Sequence, residues 1–158
     1  MGLDGYVACD CLEKGTAQVP AAIAGLVKID QDTGSTYFDS PDKRLRQVYS
    51  QWRASKPCPH DGSMLLVVRL GSANGIGLIR KFLTERVGDP ETEFPVLWKR
   101  VVHSGVHSGG SLDVNDTMRL EVELQRRPTS DDPVVERFFA KLGRLVAAAL
   151  SVGKPIGF

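Results

Sequence analysis

The spacing of apolar residues along the chain predicts strands first and helices later. Leu3, Tyr6, Val7, Cys9 and Cys11 suit a strand over the first twelve residues, broken at Gly15. Residues 16–40 read as strands and turns. Leu26 to Ile29 makes one short strand, Asp32-Thr33-Gly34 a turn, and Thr36-Tyr37-Phe38 a second strand that can pair back as a hairpin. Ser40-Pro41-Asp42 then reads as a helix start, with Ser40 as the cap and Pro41 at the first helical position. Leu45, Val48, Tyr49 and Trp52 follow at i, i+3, i+4 and i+7, which places them on one apolar face. Pro57 stops that helix.

The second half is less even. Residues 64–70 are apolar almost throughout, and periodicity does not separate a buried strand from a short buried helix there. Residues 76–87 return to helical spacing, with Ile79, Phe82 and Leu83 inward and Arg80, Lys81 and Glu85 outward. Residues 94–102 are apolar with no clear period. The repeat from His103 to Gly110 reads as a loop, because Ser-Gly pairs break any helix. Residues 112–127 alternate at Leu120, Val122 and Leu124 yet are rich in helix formers, so helix is expected. Asp132-Pro133 opens a last helix that runs to about Leu150, with Val134, Phe138, Leu142, Leu145, Val146 and Ala149 on its apolar face and Gly153 as its stop. The expected fold is α+β: a small antiparallel sheet from N-terminal strands, packed with three or more helices. With no break in the pattern, residues 1–158 form a single globular domain.

Composition narrows the class. The chain has 158 residues, 42% hydrophobic and 25% charged, which is ordinary globular usage and enough to bury a core. Its 20 basic and 19 acidic residues leave a formal charge of +1. Such a balance offers no field for a nucleic-acid backbone or an anionic membrane, and neither is an expected partner. No stretch approaches the ~20 apolar residues of a membrane helix. The opening residues carry Asp4 and no basic cluster, so no secretory signal is expected. A cytoplasmic setting with three reduced thiols follows.

Those thiols are the candidate chemistry. Cys9-x-Cys11 and Cys58-x-His60 together supply a Cys3His set, a common structural donor set for zinc. Side chains two apart on a strand share a side, so Cys9 and Cys11 can converge. The spacing is not the familiar C-x₂₋₄-C pair. Two other readings stand beside metal binding. The cysteines can be small buried hydrophobes with His60 capping a turn, or Cys9–Cys11 or Cys11–Cys58 can form a redox pair. An enzyme reading takes Cys58 as nucleophile with His103 or His107 as base, though no surrounding motif supports it. The glycine-rich run from Gly71 to Gly77 lacks Gly-Lys-Ser/Thr and is no phosphate loop. Asp30, Asp32, Asp89, Glu91 and Glu93 read as solvated carboxylates in turns.

Four scattered motifs carry a resemblance. They are the opening Met-Gly-Leu-Asp-Gly-Tyr-Val-x-Cys-Asp-Cys, Trp52 followed by Cys58-x-His60, Phe94-Pro95-x-Leu97, and the ending Gly153-x-Pro155-Ile156-x-Phe158. Together they resemble a family of small uncharacterised bacterial proteins that look like immunity proteins of polymorphic toxin systems. The resemblance implies a cytoplasmic, non-enzymatic protein that neutralises a cognate protein toxin by direct binding. Loops carrying Asp89, Glu91, Glu93, His103 and His107 are then the expected contact surface. The alternatives are a zinc-stabilised regulatory or scaffold module and a cysteine-dependent enzyme.

Overall fold

The computed structural model describes residues 2–103 and 110–158. The fold is α+β. Strand β1 (Gly2–Ala8) pairs antiparallel with β4 (Met64–Ser72) on one side and with β6 (Ile156–Gly157) on the other. β5 (Ser111–Leu112) closes the sheet, in the order β4-β1-β6-β5. The sheet thus joins the two ends of the chain to its middle. β2 (Val27–Ile29) and β3 (Thr36–Phe38) form the expected hairpin as a separate two-stranded sheet. The apolar run at residues 64–70 is strand: Val68 and Leu70 are buried while Val67 and Arg69 face out.

Helix α1 (Lys43–Ala54) starts two residues later than its sequence signal. Asp42, not Ser40, caps it by accepting the Arg44 N–H at 2.8 Å, and the Ser40 hydroxyl instead accepts the Asp42 N–H at 3.2 Å. Ser72 caps α2 (Ala73–Val87), which therefore begins three residues before residue 76. Asp89 caps the single turn α3 (Pro90–Glu93). The ambiguous residues 94–102 fall largely in a π-helix, Val96–His103, and the ambiguous 112–127 in helix α4 (Val114–Arg126). Helix α5 (Pro133–Val152) is capped by Asp132, and Gly153 ends it in the left-handed region at φ 62°.

Two apolar clusters result. The larger gathers Leu3 and Val7 of β1, Ile79 and Leu83 of α2, Leu97 and Val101 of the π-helix, Leu120 of α4, and Phe138, Leu142 and Leu145 of α5. Glu123 of α4 lies inside it at 3% exposure and accepts the Val96 and Leu97 N–H groups at 3.0 and 2.8 Å. One carboxylate so satisfies two amides at the start of the π-helix that have no partner within it. Arg80 binds the other end, donating to the Val102 carbonyl. The smaller cluster holds Cys9, Cys11, Ala17, Ile23, Val27, Trp52 and Cys58.

Close packing against the sheet, from α5 at Gly5 and from the neighbouring strand at Gly157, explains two glycines. A Cβ on Gly5 would lie 2.5 Å from Leu145, and one on Gly157 would lie 2.2 Å from the Tyr6 ring. Neither position accepts a larger residue without displacing its neighbour.

Candidate metal centre

The strand expected over residues 1–12 ends at Ala8, which decides where its two cysteines go. The Cys9 N–H still bonds the Ser63 carbonyl at 3.0 Å, continuing the ladder beside β4. The chain then turns at Asp10, with the Lys14 N–H on the Asp10 carbonyl and the Ala17 N–H on the Cys11 carbonyl. Cys9 and Cys11 therefore converge through a turn rather than as same-side residues of one strand. Cys58 and His60 arrive from the segment between α1 and β4. The short turn after them, Asp61–Ser63, includes Gly62 at φ 58° and Ser63 at φ 61°.

The four donor atoms of Cys9, Cys11, Cys58 and His60 all lie within 4.8 Å of one another. Cys9 Sγ and Cys58 Sγ are 3.9 Å apart, and Cys11 Sγ is 3.2 Å from His60 Nδ1. A zinc tetrahedron with Zn–S bonds of about 2.3 Å has sulfur–sulfur edges of about 3.8 Å. The Cys9–Cys58 separation matches that edge, and the remaining distances need shifts of about 1 Å or less. The three cysteines are 6–7% exposed. The donor set therefore fits a four-coordinate ion held away from solvent.

The electrostatics of the bare thiols are uneven. Burial, helped by hydrogen bonding and charge from Cys9 and Cys58, pushes the Cys11 thiol up to about 12. Burial also acts to raise Cys58, but the His60 backbone and the thiols of Cys9 and Cys11 outweigh it, and the net shift is downward. A bound dication removes such resistance, because coordination deprotonates a thiol outright.

A polar ring braces the centre. Trp52 Nε1 donates to the Gln18 carbonyl at 2.8 Å. Arg53 reaches Thr36 Oγ1, Ser63 Oγ and the Gly62 carbonyl at 3.0, 2.8 and 3.0 Å, joining α1 to β3 and to the turn before β4. Lys154, 7% exposed, pairs with Glu13 and so ties the segment after α5 to the turn that carries Cys11. Burial lowers the Lys154 pKa, against the raising influence of Cys9 and Asp10. Sequence reasoning gave no sign of Arg53, Lys154 or Glu123 as bracing residues, since each acts on a backbone or partner remote in the chain.

The other predicted site residues lie elsewhere. Asp89 caps α3, Glu91 pairs with Lys99 at 2.7 Å, and Glu93 is an exposed residue on the rim of a groove shared with Arg119 and Arg126. His103 ends the π-helix and packs edge-on against Trp98 at 4.5 Å between ring centres. Burial and then the Arg80 charge lower its pKa, while Glu91 acts the other way, so Glu91 and His103 share one neighbourhood. His107 lies outside the described residues. His103 packs on Trp98 beside the larger cluster, whereas Cys58 belongs to the smaller one. Asp30 accepts the Asp32 and Thr33 N–H groups and shapes its own turn.

No protein-family model, no curated protein and no solved structure matches the chain. Among the described residues, no helix is long and apolar enough to cross a membrane.

Proposed function

We propose that this chain is a non-catalytic binding domain stapled by a structural zinc ion on Cys9, Cys11, Cys58 and His60. The observation that carries the reading is the convergence of four donors, three sulfurs and one imidazole nitrogen, within 4.8 Å. A site with four protein ligands leaves no open coordination place for a substrate, and so serves folding rather than chemistry. Elemental analysis of protein purified without chelator tests it. About one zinc per chain is the expected result. Less than about a tenth of an equivalent removes the reading.

The biological role proposed for this domain is immunity to a bacterial protein toxin, exercised in the cytoplasm by direct binding. Its support is the resemblance, and one spatial fact gives that resemblance a physical sense. The opening motif forms β1 and two of the ligands, Cys58-x-His60 supplies the other two, and the closing motif forms β6 against β1. These three motifs thus build a scaffold around the paired chain ends and the four donors. Under this reading the α3 carboxylates and His103 form the contact surface. Stable co-purification with the toxin encoded beside this gene is the expected outcome. Cells that survive that toxin without this protein refute the role.

A further inference from the structure

The pairs that the sequence brings forward for redox chemistry are Cys9–Cys11 and Cys11–Cys58. The geometry favours a different one. Cys11 Sγ is engaged by His60 Nδ1 at 3.2 Å, while Cys9 Sγ and Cys58 Sγ face each other at 3.9 Å. Both belong to the same buried cluster, and they come from segments 49 residues apart. Cys9 is fixed by its N–H on the Ser63 carbonyl, and the Asp61–Ser63 turn that follows Cys58 is fixed by Arg53. Forming a disulfide needs the two sulfurs to close to about 2.05 Å. From 3.9 Å, that leaves about 1.9 Å for the two sulfurs to close.

We infer that Cys9 and Cys58 are an oxidisable pair, and that hydrogen peroxide joins them in a disulfide that staples the two segments. One thiolate of the pair attacks a peroxide oxygen. The O–O bond breaks, a sulfenic acid forms and hydroxide leaves. The second thiolate attacks the sulfenic sulfur, the S–S bond forms, the S–O bond breaks and a second hydroxide leaves. Two protons from solvent turn the hydroxides into water. The two sulfurs together lose two electrons and the peroxide gains them. Once joined, Cys9 and Cys58 would no longer be available to hold a metal ion, and of the four donors only Cys11 and His60 would remain.

The consequence is a covalent staple between the same two segments that the four donors bring together, and Cys11 and His60 take no part in the bond. The proposal concerns the site of the zinc reading but stands on the sulfur geometry alone.

Peptide mapping of the full-length protein after peroxide treatment tests it, because Asp10 separates the candidate cysteines. Cleavage before aspartate puts Cys9 in residues 4–9, Cys11 in residues 10–29 and Cys58 in residues 42–60. The expected product is residues 4–9 joined to 42–60, two hydrogens lighter than the sum, and Cys11→Ser protein gives the same product. Its zinc-free oxidised form melts above its zinc-free reduced form. A link from 10–29 to either other peptide, sulfinic acid without a cross-link, or no rise in melting temperature overturns the proposal. Zinc content of the untreated sample separates the two readings. A zinc-free protein that forms the cross-link loses only the zinc reading, and a zinc-bound protein that forms none loses only this one.

Discussion

The two apolar clusters are held together by different means. The larger is built from long aliphatic and aromatic side chains on two faces that enclose each other: the β1–β4 sheet on one side, α2, α4 and α5 with the π-helix on the other. Phe138 and Phe139 pack edge-on at 5.3 Å, and Phe139 meets Phe82 at 6.2 Å. The smaller cluster has seven buried residues, three of them cysteines and one an alanine. Its segments, the β2–β3 hairpin, α1 and the turns around them, are short. Little apolar area is buried there, and the entropy of ordering some fifty residues opposes it at roughly 1–2 kcal/mol per residue. The difference teaches that a cross-link would add most to the second region. The Cys3His centre sits where the hydrophobic effect is weakest.

Four measurements break or sharpen that contrast. Removing metal by a strong chelator, or by Cys58→Ser, has the largest expected effect. Amides of the β2–β3 hairpin and α1 lose hydrogen-exchange protection, while those of α5 keep theirs. Uniform loss across both regions breaks the contrast, since it makes the staple essential to the whole molecule.

Phe138→Ala is the converse experiment. It deletes a large, fully buried side chain of the larger cluster and is expected to cost about 3–5 kcal/mol. Denaturant melts followed by far-UV circular dichroism read this as a global loss. Next comes Glu123→Ala, which strips the Val96 and Leu97 amides of their acceptor in a buried place. Leaving such donors unsatisfied costs about 2–3 kcal/mol. A change below about 0.5 kcal/mol in the same melts shows that the π-helix does not depend on α4. The smallest expected effect is Trp52→Phe, which keeps most of the ring packing and loses the bond to the Gln18 carbonyl. About 1 kcal/mol is expected, seen only in the smaller region. Exchange at α1 reports it and exchange at α5 does not.

Stability against pH adds a check on the larger region. The Arg127 guanidinium, bonded to both Glu136 oxygens at 2.8 and 2.7 Å, holds that carboxyl below its ordinary value. A group with a depressed folded-state pKa contributes stability above its unfolded value, near 4.5, and loses it as pH falls through the folded one. Glu136→Gln flattens that part of the acid limb.

Much of the molecule follows from local pattern, and the exceptions share a cause. The α5 boundaries were legible because Asp132-Pro133 and Gly153 act within one turn of their own helix. The β2–β3 hairpin was legible for the same reason, with Asp30 shaping its turn. Residues 94–102 were opaque because their π-helix is capped by a carboxylate from α4 and an arginine from α2. β5 and β6 were missed because two-residue strands carry no periodicity.

The candidate centre divides along the same line. The sequence by itself singled out Cys9, Cys11, Cys58 and His60 as one candidate donor group, because they fall in two short motifs. It also determined the α+β class, through helical and strand periods that each element carries within itself. Tertiary structure alone decided how the donors meet. The chain leaves the β1 ladder after Cys9, turns at Asp10, and aligns Cys9 with Ser63 through the register of β1 on β4. That register, set by which faces of two distant strands are buried, is what places Cys58 opposite Cys9 and His60 opposite Cys11.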